Sequence, residues 1–140
     1  MGKPPTKVGF REYAIYQIYP KSFRDTTGSG IGDLQGVIEK IPYIASLGID
    51  MIWFNPFFVS TQRDGGYDVA DYYNIDPAIG TMDDFDELVR ALADNGIGVM
   101  LDMVLNHTST EHEWFQKALA GDKKYQDFYI IRPPAADGGL

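Results

Sequence analysis

The chain has 140 residues, of which 12 are Lys or Arg and 20 are Asp or Glu, so its formal net charge is −8. That length allows one domain with its own core, and 44% apolar residues without cysteine exclude a disordered tail, a disulfide scaffold and cysteine chemistry. The acidic balance, the lack of a long apolar run and the lack of an apolar leader favour a cytoplasmic protein without nucleic-acid or membrane partners.

The first part of the chain predicts a strand, a kinked helix and a second strand. Residues 14–19 are rich in β-forming side chains. Asp33 is a candidate N-cap for a helix with apolar residues at helical spacing, and Pro42 predicts a kink or a restart within it. After Gly48, the continuous apolar run at 49–54 is typical of a strand covered on both faces.

The middle of the chain predicts a long connection, a helix and a third strand. Residues 55–80 form a connection rich in aromatic and acidic side chains, which favours an ordered binding loop. The next helix begins at Thr81, where Asp84 completes a weak capping box. It ends at Gly96, and residues 97–105 form the third strand candidate.

The last part of the chain predicts a third helix and a short strand. The helix begins near Thr110, where Glu113 completes a capping box, and it ends at Gly121. His112 lies in its polar first turn and is expected at the surface, and residues 125–132 predict a short strand. Three parallel-type strands with helices between them indicate an α/β fold, either a small open sheet or part of a (β/α)₈ barrel.

The strongest chemical signal is residues 102–107. Strand alternation would place Asp102, Val104 and Asn106 on one side. A carboxylate in an apolar strand is costly unless it is paired, and ligands bind where parallel strands end, so Asp102, Asn106 and His107 are candidate site residues. The alternative is a structural Asp beside a satisfied histidine.

A second signal is the turn at residues 64–68. Its paired glycines allow close backbone approach to a ligand, Tyr67 offers a flat apolar face, and Asp68 can accept hydrogen bonds from vicinal hydroxyls. The alternative is a solvated turn in which Asp68 caps a backbone N–H.

A third signal is the glycine-rich loop at residues 25–33, which has the outline of a calcium loop. A metal would draw on its alternate positions, namely Asp25, Thr27, Ser29, Ile31 and Asp33. Hydroxyls are weak ligands for a hard cation and no bidentate Glu follows, so a metal-free turn is the expectation.

Together these segments resemble the α-amylase superfamily of glycoside hydrolases, family 13. The resemblance covers about residues 12–132 and rests on YQIYPKSF (16–23), GIGDL (30–34), GYD (66–68) and DMVLNH (102–107). Within the superfamily the chain is similar to the branch of oligo-1,6-glucosidases and trehalose-6-phosphate hydrolases.

The resemblance implies the N-terminal part, about three βα units, of a (β/α)₈ TIM barrel. It implies an N-terminal extension at 1–11, the first three strands and two helices of the barrel at 12–105, and the start of an inserted domain, cut short, at 106–140. The family's nucleophile and acid/base follow the fourth and fifth strands, which this chain is not expected to contain. We therefore expect part of a retaining α-glucosidase or, as the alternative, a non-catalytic fragment or amylase-like partner protein.

The resemblance also assigns substrate-binding roles, and no catalytic ones. Asp68 would hold a hydroxyl of the glucose before the cleaved bond, with Tyr67 stacking nearby and His107 contacting the same sugar. Asp102 would order the floor of the site and Asn106 the adjoining loop. The expected partner is a small sugar, and no cofactor is implied beyond the calcium that some members bind. An isolated chain is expected either to self-associate through its open sheet edge or to fold poorly.

Overall fold

A computed structural model describes residues 9–136 of the chain. In chain order the elements are β1 (Ile15–Ile18), α1 (Leu34–Glu39), α2 (Ile41–Ser46), β2 (Met51–Phe54), β3 (Phe58–Ser60), β4 (Val69–Ile75), α3 (Met82–Asp94), β5 (Gly98–Leu101), α4 (Glu113–Leu119) and α5 (Lys123–Gln126). Single 3₁₀ turns occupy Phe10–Glu12 and Pro20–Ser22. No helix within residues 9–136 is long and apolar enough to span a membrane.

Three strands form a parallel sheet in the order β1-β2-β5. In the register Ile18 pairs with Phe54, and Phe54 pairs with Leu101, so the three strands end at the same level. The three parallel strands expected from the sequence are therefore confirmed. Residues that follow the strands are brought to one edge of the sheet, which is where ligands bind in parallel sheets.

The hydrophobic core joins this sheet to α1, α2 and α3. Its most deeply buried side chains come from strands and helices alike, namely Ile18, Leu34, Val37, Ile44, Ile52, Phe54, Leu88 and Leu92. Each side chain of this size contributes about 1.5–3 kcal/mol when it is fully removed from water. The core therefore fixes the position of the sheet edge.

The helix boundaries follow the capping residues expected from the sequence. The Asp33 carboxylate accepts from the Gly36 N–H at 2.7 Å and caps α1. The helical segment breaks at Lys40 and restarts as α2 with Pro42 in its first turn. Thr81 and Asp84 form the expected capping box of α3.

The connection at 55–80 is ordered, as expected, but it contains two strands that the sequence interpretation missed. β3 and β4 pair as an antiparallel hairpin with irregular register. The third strand was expected at 97–105, yet β5 ends at Leu101. The predicted alternation of Asp102, Val104 and Asn106 along a strand is therefore wrong, because these residues lie in the loop that follows it.

The C-terminal part also differs from expectation. Residues 125–132 form no strand, and Lys123–Gln126 is the short helix α5. The N-cap of α4 is His112 rather than Thr110, because the His112 Nδ1 accepts from the Trp114 N–H at 3.0 Å. His112 is buried, 4% exposed, so the expected surface position is wrong. Its ring packs against Trp114 and Tyr72, and that tertiary contact decides its burial.

Candidate functional site

A chain of side-chain hydrogen bonds crosses the carboxyl edge of the sheet. The Tyr67 hydroxyl donates to Asp102 Oδ2 at 2.7 Å. Asn55, the residue after β2, donates through Nδ2 to the Tyr67 hydroxyl at 3.1 Å. Gln17 of β1 donates through Nε2 to Asn55 Oδ1 at 2.9 Å. All three parallel strands thus contribute to one polar network.

The ionisation of the Tyr67 phenol is controlled by this network. The hydrogen bond to Asp102 raises the pKa of Tyr67 above its usual value, and burial raises that pKa further. The hydrogen bond from Asn55 acts in the opposite direction, because it favours the phenolate. The phenol is therefore held neutral and keeps its proton on the Asp102 side.

The loop after β5 brings His107 against Tyr67. The His107 Nε2 lies 3.1 Å from the Tyr67 carbonyl oxygen, and its Nδ1 lies 3.1 Å from Asn106 Nδ2. Because a carbonyl only accepts and an amide nitrogen only donates, these partners assign the proton to Nε2. The Tyr72 hydroxyl contacts the Val104 and His107 carbonyl oxygens at 2.5 and 3.0 Å and fixes the same loop.

Four of the five expected substrate-binding residues are therefore brought together: Tyr67, Asp102, Asn106 and His107. A cavity of about 370 Å³ is lined by two of them, Asn106 and His107, while Tyr67 and Asp102 lie outside its lining. Its volume is within the usual range of about 300–1,000 Å³ for small-molecule sites. Aromatic faces and polar tips mix in its lining, which includes Tyr72, Asn106, His107, Trp114, Phe128 and Tyr129. Flat apolar faces beside hydrogen-bonding groups suit a sugar ring, which presents both kinds of surface.

Asp68 adjoins this cluster through the chain, but its carboxylate faces its own loop. It is 9% exposed, and each of its oxygens accepts two hydrogen bonds. The donors are the Ser60 and Thr61 hydroxyls and the backbone N–H groups of Arg63 and Asp64. Burial alone would raise the pKa of Asp68, but these four bonds together bring it far below its usual value. This is the capping role of the alternative interpretation, and a sugar-binding role for Asp68 stays a prediction.

The two acids of the glycine-rich loop, Asp25 and Asp33, also accept hydrogen bonds from residues of their own loop. Asp25 accepts from the N–H of Gly30, which is the largest cause of the lowering of its pKa to about 2, and from Thr27 and Gly28. Asp33 caps α1 and accepts from Thr26. Across residues 9–136 no three His, Cys, Asp or Glu side chains gather in a metal-binding group. Metal binding by this loop, and its absence, both stay predictions.

Two members of the network escaped the sequence interpretation, namely Gln17 and Asn55. Gln17 is a polar residue within an apolar strand, and Asn55 directly follows the apolar run that became β2. The reasoning that singled out Asp102 applies equally to both positions. The signal is weaker than at Asp102, because burying a neutral amide costs less free energy than burying a charge.

A family model and individual proteins of known sequence match most of this chain. A family model described as "Alpha amylase, catalytic domain" matches residues 17–139. Trehalose-6-phosphate hydrolase of Escherichia coli (strain K12) is 61% identical over 118 residues, which are 84% of this chain and 21% of that protein. Oligo-1,6-glucosidase of Bacillus cereus is 48% identical over 128 residues, which are 91% of this chain and 23% of that protein.

A solved structure extends the likeness to three dimensions. The chain matches the crystal structure of Bacillus licheniformis trehalose-6-phosphate hydrolase with a TM-score of 0.86 and 51% identity, over 91% of this chain and 23% of that one. The structural neighbours are TIM-barrel enzymes, so the expected α/β class, with βα units of a (β/α)₈ barrel, is confirmed. The chain spans between a fifth and a quarter of the length of these relatives.

Proposed function

Since the chain belongs to the α-amylase family of glycoside hydrolase catalytic domains, we propose that it is the N-terminal part of a retaining α-glucosidase. The proposed substrates are small α-glucosides, either trehalose 6-phosphate or isomalto-oligosaccharides, in line with the names of its relatives. The observation that supports this most is the polar cluster of Tyr67, Asp102 and His107 at the carboxyl edge of the sheet.

We propose that these three residues together bind one glucose ring. Tyr67 offers its ring face to the sugar, while its hydroxyl is fixed by Asp102. His107 is oriented from both sides, by Asn106 and by the Tyr67 carbonyl, so its imidazole edge is fixed relative to the same surface. Such fixed groups lower the entropy lost when a sugar binds.

The chemical step of a retaining glycosidase needs two carboxyl groups about 5–5.5 Å apart, one as nucleophile and one as acid/base. Asp68 already accepts four hydrogen bonds, and Asp102 accepts from Tyr67, so we assign neither to covalent catalysis. The relatives extend well beyond the matched segment. We place the two catalytic carboxyls in the part of the protein that corresponds to that remainder.

The test is an assay of the complete gene product with trehalose 6-phosphate and with isomaltose. We expect glucose release, with the α-anomer formed first in proton NMR. Tyr67→Phe should lower kcat/KM, while Tyr43→Phe, an exposed tyrosine on α2, should not. Formation of the β-anomer would contradict retention.

The second candidate is an amylase-like partner protein without hydrolase activity. The occupied carboxylates of Asp68 and Asp102 agree with it as well as with the enzyme, because neither candidate uses them as a nucleophile. Sugar binding without turnover in the same assay would select this candidate over the enzyme. The cytoplasmic location expected from the sequence stays a prediction in either case.

A further inference from the structure

The two residues that follow β2 contact the turn at Gly66 and Tyr67. Asn55 bonds to the phenol through its side chain at 3.1 Å. The next residue, Pro56, presents its carbonyl oxygen to Gly66, where an added Cβ would lie only 2.9 Å away. Gly66 also has a φ of 103°, which L side chains rarely adopt. Side chain and backbone of Asn55 and Pro56 thus receive both Tyr67 and the glycine before it.

The direction of the hydrogen bonds across the network is dictated by Asp102. An ionised carboxylate only accepts, so the Tyr67 hydroxyl must donate to it. The phenol oxygen then has only lone pairs to offer, so the group that faces it must be a donor, the Asn55 amide nitrogen. This orientation turns Asn55 Oδ1 toward Gln17. The amide nitrogen of Gln17 donates to it and is the last donor in this series of hydrogen bonds. Only a side chain with a donor and an acceptor at its tip satisfies both neighbours of Asn55.

We propose that Asn55, oriented by Gln17, is a positioning residue that holds Tyr67 in place for the sugar. The proposal rests on the proposed function, because Tyr67 is the residue assigned to the glucose ring. Asn55 itself touches no reacting atom in this account and acts through the Tyr67 hydroxyl. The effect of its removal should therefore depend on whether that hydroxyl is present.

The experiment is a double-mutant cycle in the complete gene product with Asn55→Leu and Tyr67→Phe. Leucine has nearly the size of asparagine and makes no hydrogen bond. Each single variant should lower kcat/KM by about tenfold, as expected for the loss of one fixed hydrogen bond. The double variant should lose no more than either single one, because coupled residues are not additive. Losses that multiply would overturn the proposal.

The matched control is Gln35→Leu. Gln35 is also an amide that joins two elements, since its Nε2 donates to Asp84 at 2.8 Å between α1 and α3. Its side chain bonds to Asp84 and Glu87 and not to the network of Tyr67. We expect its kcat/KM to stay near that of the wild type. Any small loss should multiply with that of Tyr67→Phe.

A second measurement does not require activity. The Tyr67 phenol can be titrated by ultraviolet absorbance, as the difference between the wild type and Tyr67→Phe. Asn55→Leu should raise the phenol pKa, because the amide donor lowers it, and Asn55→Asp should raise it more by adding a negative charge. If the complete protein releases no glucose while the titration shifts as stated, the proposed function fails and the Asn55–Tyr67 coupling stands. An unshifted phenol in a folded Asn55→Asp variant would overturn that coupling.

Discussion

The carboxylate of Asp68 shows how one residue can fix a whole loop. It accepts from two hydroxyls and two backbone N–H groups between Ser60 and Asp64, and it is almost completely buried. Gln62, in the same loop, has a positive φ of 60°, which is unusual for a residue other than glycine. The bonds to Asp68 offset the strain of that conformation. Because four donors already occupy the carboxylate, a sugar hydroxyl that reaches Asp68 must displace one of them.

We expect Asp68→Asn to destabilise the protein by about 1–3 kcal/mol or more, because the amide presents a donor where the loop also offers donors. The folded pKa of Asp68 lies far below the unfolded value of about 4. Its stabilising contribution is therefore complete above about pH 4 and is lost as the pH falls toward the folded pKa.

The measurement is denaturant unfolding of the wild type and Asp68→Asn between pH 2 and pH 7. The difference between the free energies of unfolding of the two proteins should become smaller below about pH 4. Asp86→Asn, an exposed acid on α3, should stay within about 0.5 kcal/mol of the wild type throughout. A difference that is constant with pH would contradict this account of Asp68.

His112 provides a prediction for a group that must stay neutral in the folded protein, whereas Asp68 must stay ionised. Burial lowers its pKa, although Asp71 and Glu113 partly oppose that effect, and its Nδ1 must stay unprotonated to cap α4. The folded pKa of His112 lies below the unfolded value of about 6.5. The contribution of neutral His112 to the free energy of unfolding is therefore complete above that pH and is lost as the pH falls.

In NMR titrations His112 should titrate below 6.5 in the folded protein and near 6.5 in urea. His112→Asn keeps a capping oxygen, so its stability should lack this pH-dependent part, and a folded midpoint above 6.5 would contradict the assignment.

At the scale of elements, α1 depends on a close contact with the turn that precedes it. A Cβ added at Gly36 would lie 2.1 Å from the Arg24 carbonyl oxygen, a distance no atom pair of this kind adopts. Helix propensity alone would favour alanine over glycine by about 1 kcal/mol. Here the steric clash is the larger effect, because the obstacle is backbone rather than a flexible side chain.

We therefore expect Gly36→Ala to lower the free energy of unfolding by about 1–3 kcal/mol, as overpacking does, or by more. Denaturant melts will measure this. The control is Gly9→Ala, since nothing lies within 4 Å of a Cβ at Gly9. A Gly36→Ala variant more stable than the wild type would show that propensity outweighs the contact.

The elements that sequence patterns predicted well are those fixed by local chemistry. Asp33 and Thr81 cap helices through bonds to residues three positions away, and Pro42 marks the restart of a helix. The misses depend on distant contacts. β3 has three residues and pairs irregularly with β4, and the apolar run after β5 continues although the ladder stops, leaving Leu105 81% exposed.

At the scale of the whole molecule, the sheet and the site share one edge. The rule that ligands bind where parallel strands end was enough to select Asp102 and His107, while the family resemblance placed Tyr67 beside them. It was not enough to predict the state of Asp68, because that depends on how a loop folds back on a single carboxylate. Nor did it identify Asn55, whose role follows only from the donor direction set by Asp102.

The sheet also predicts how the 140-residue chain behaves by itself. Within residues 9–136, β1 and β5 each pair with β2 alone, and Met103 and Leu105 after β5 are exposed. Edges of this kind pair with other chains. We expect light scattering to show self-association, which Leu105→Lys should reduce and Tyr43→Lys on α2 should not. A monomer with a cooperative melt would contradict this expectation.

The proposed function depends most on the binding of one glucose ring by Tyr67, Asp102 and His107. The most direct measurement is a crystal structure of the complete gene product soaked with glucose. We expect a sugar ring on the face of Tyr67, with carbon atoms within about 4 Å of it, and a sugar hydroxyl beside the His107 imidazole. Glucose bound elsewhere, with both side chains still facing only protein and solvent, would contradict it.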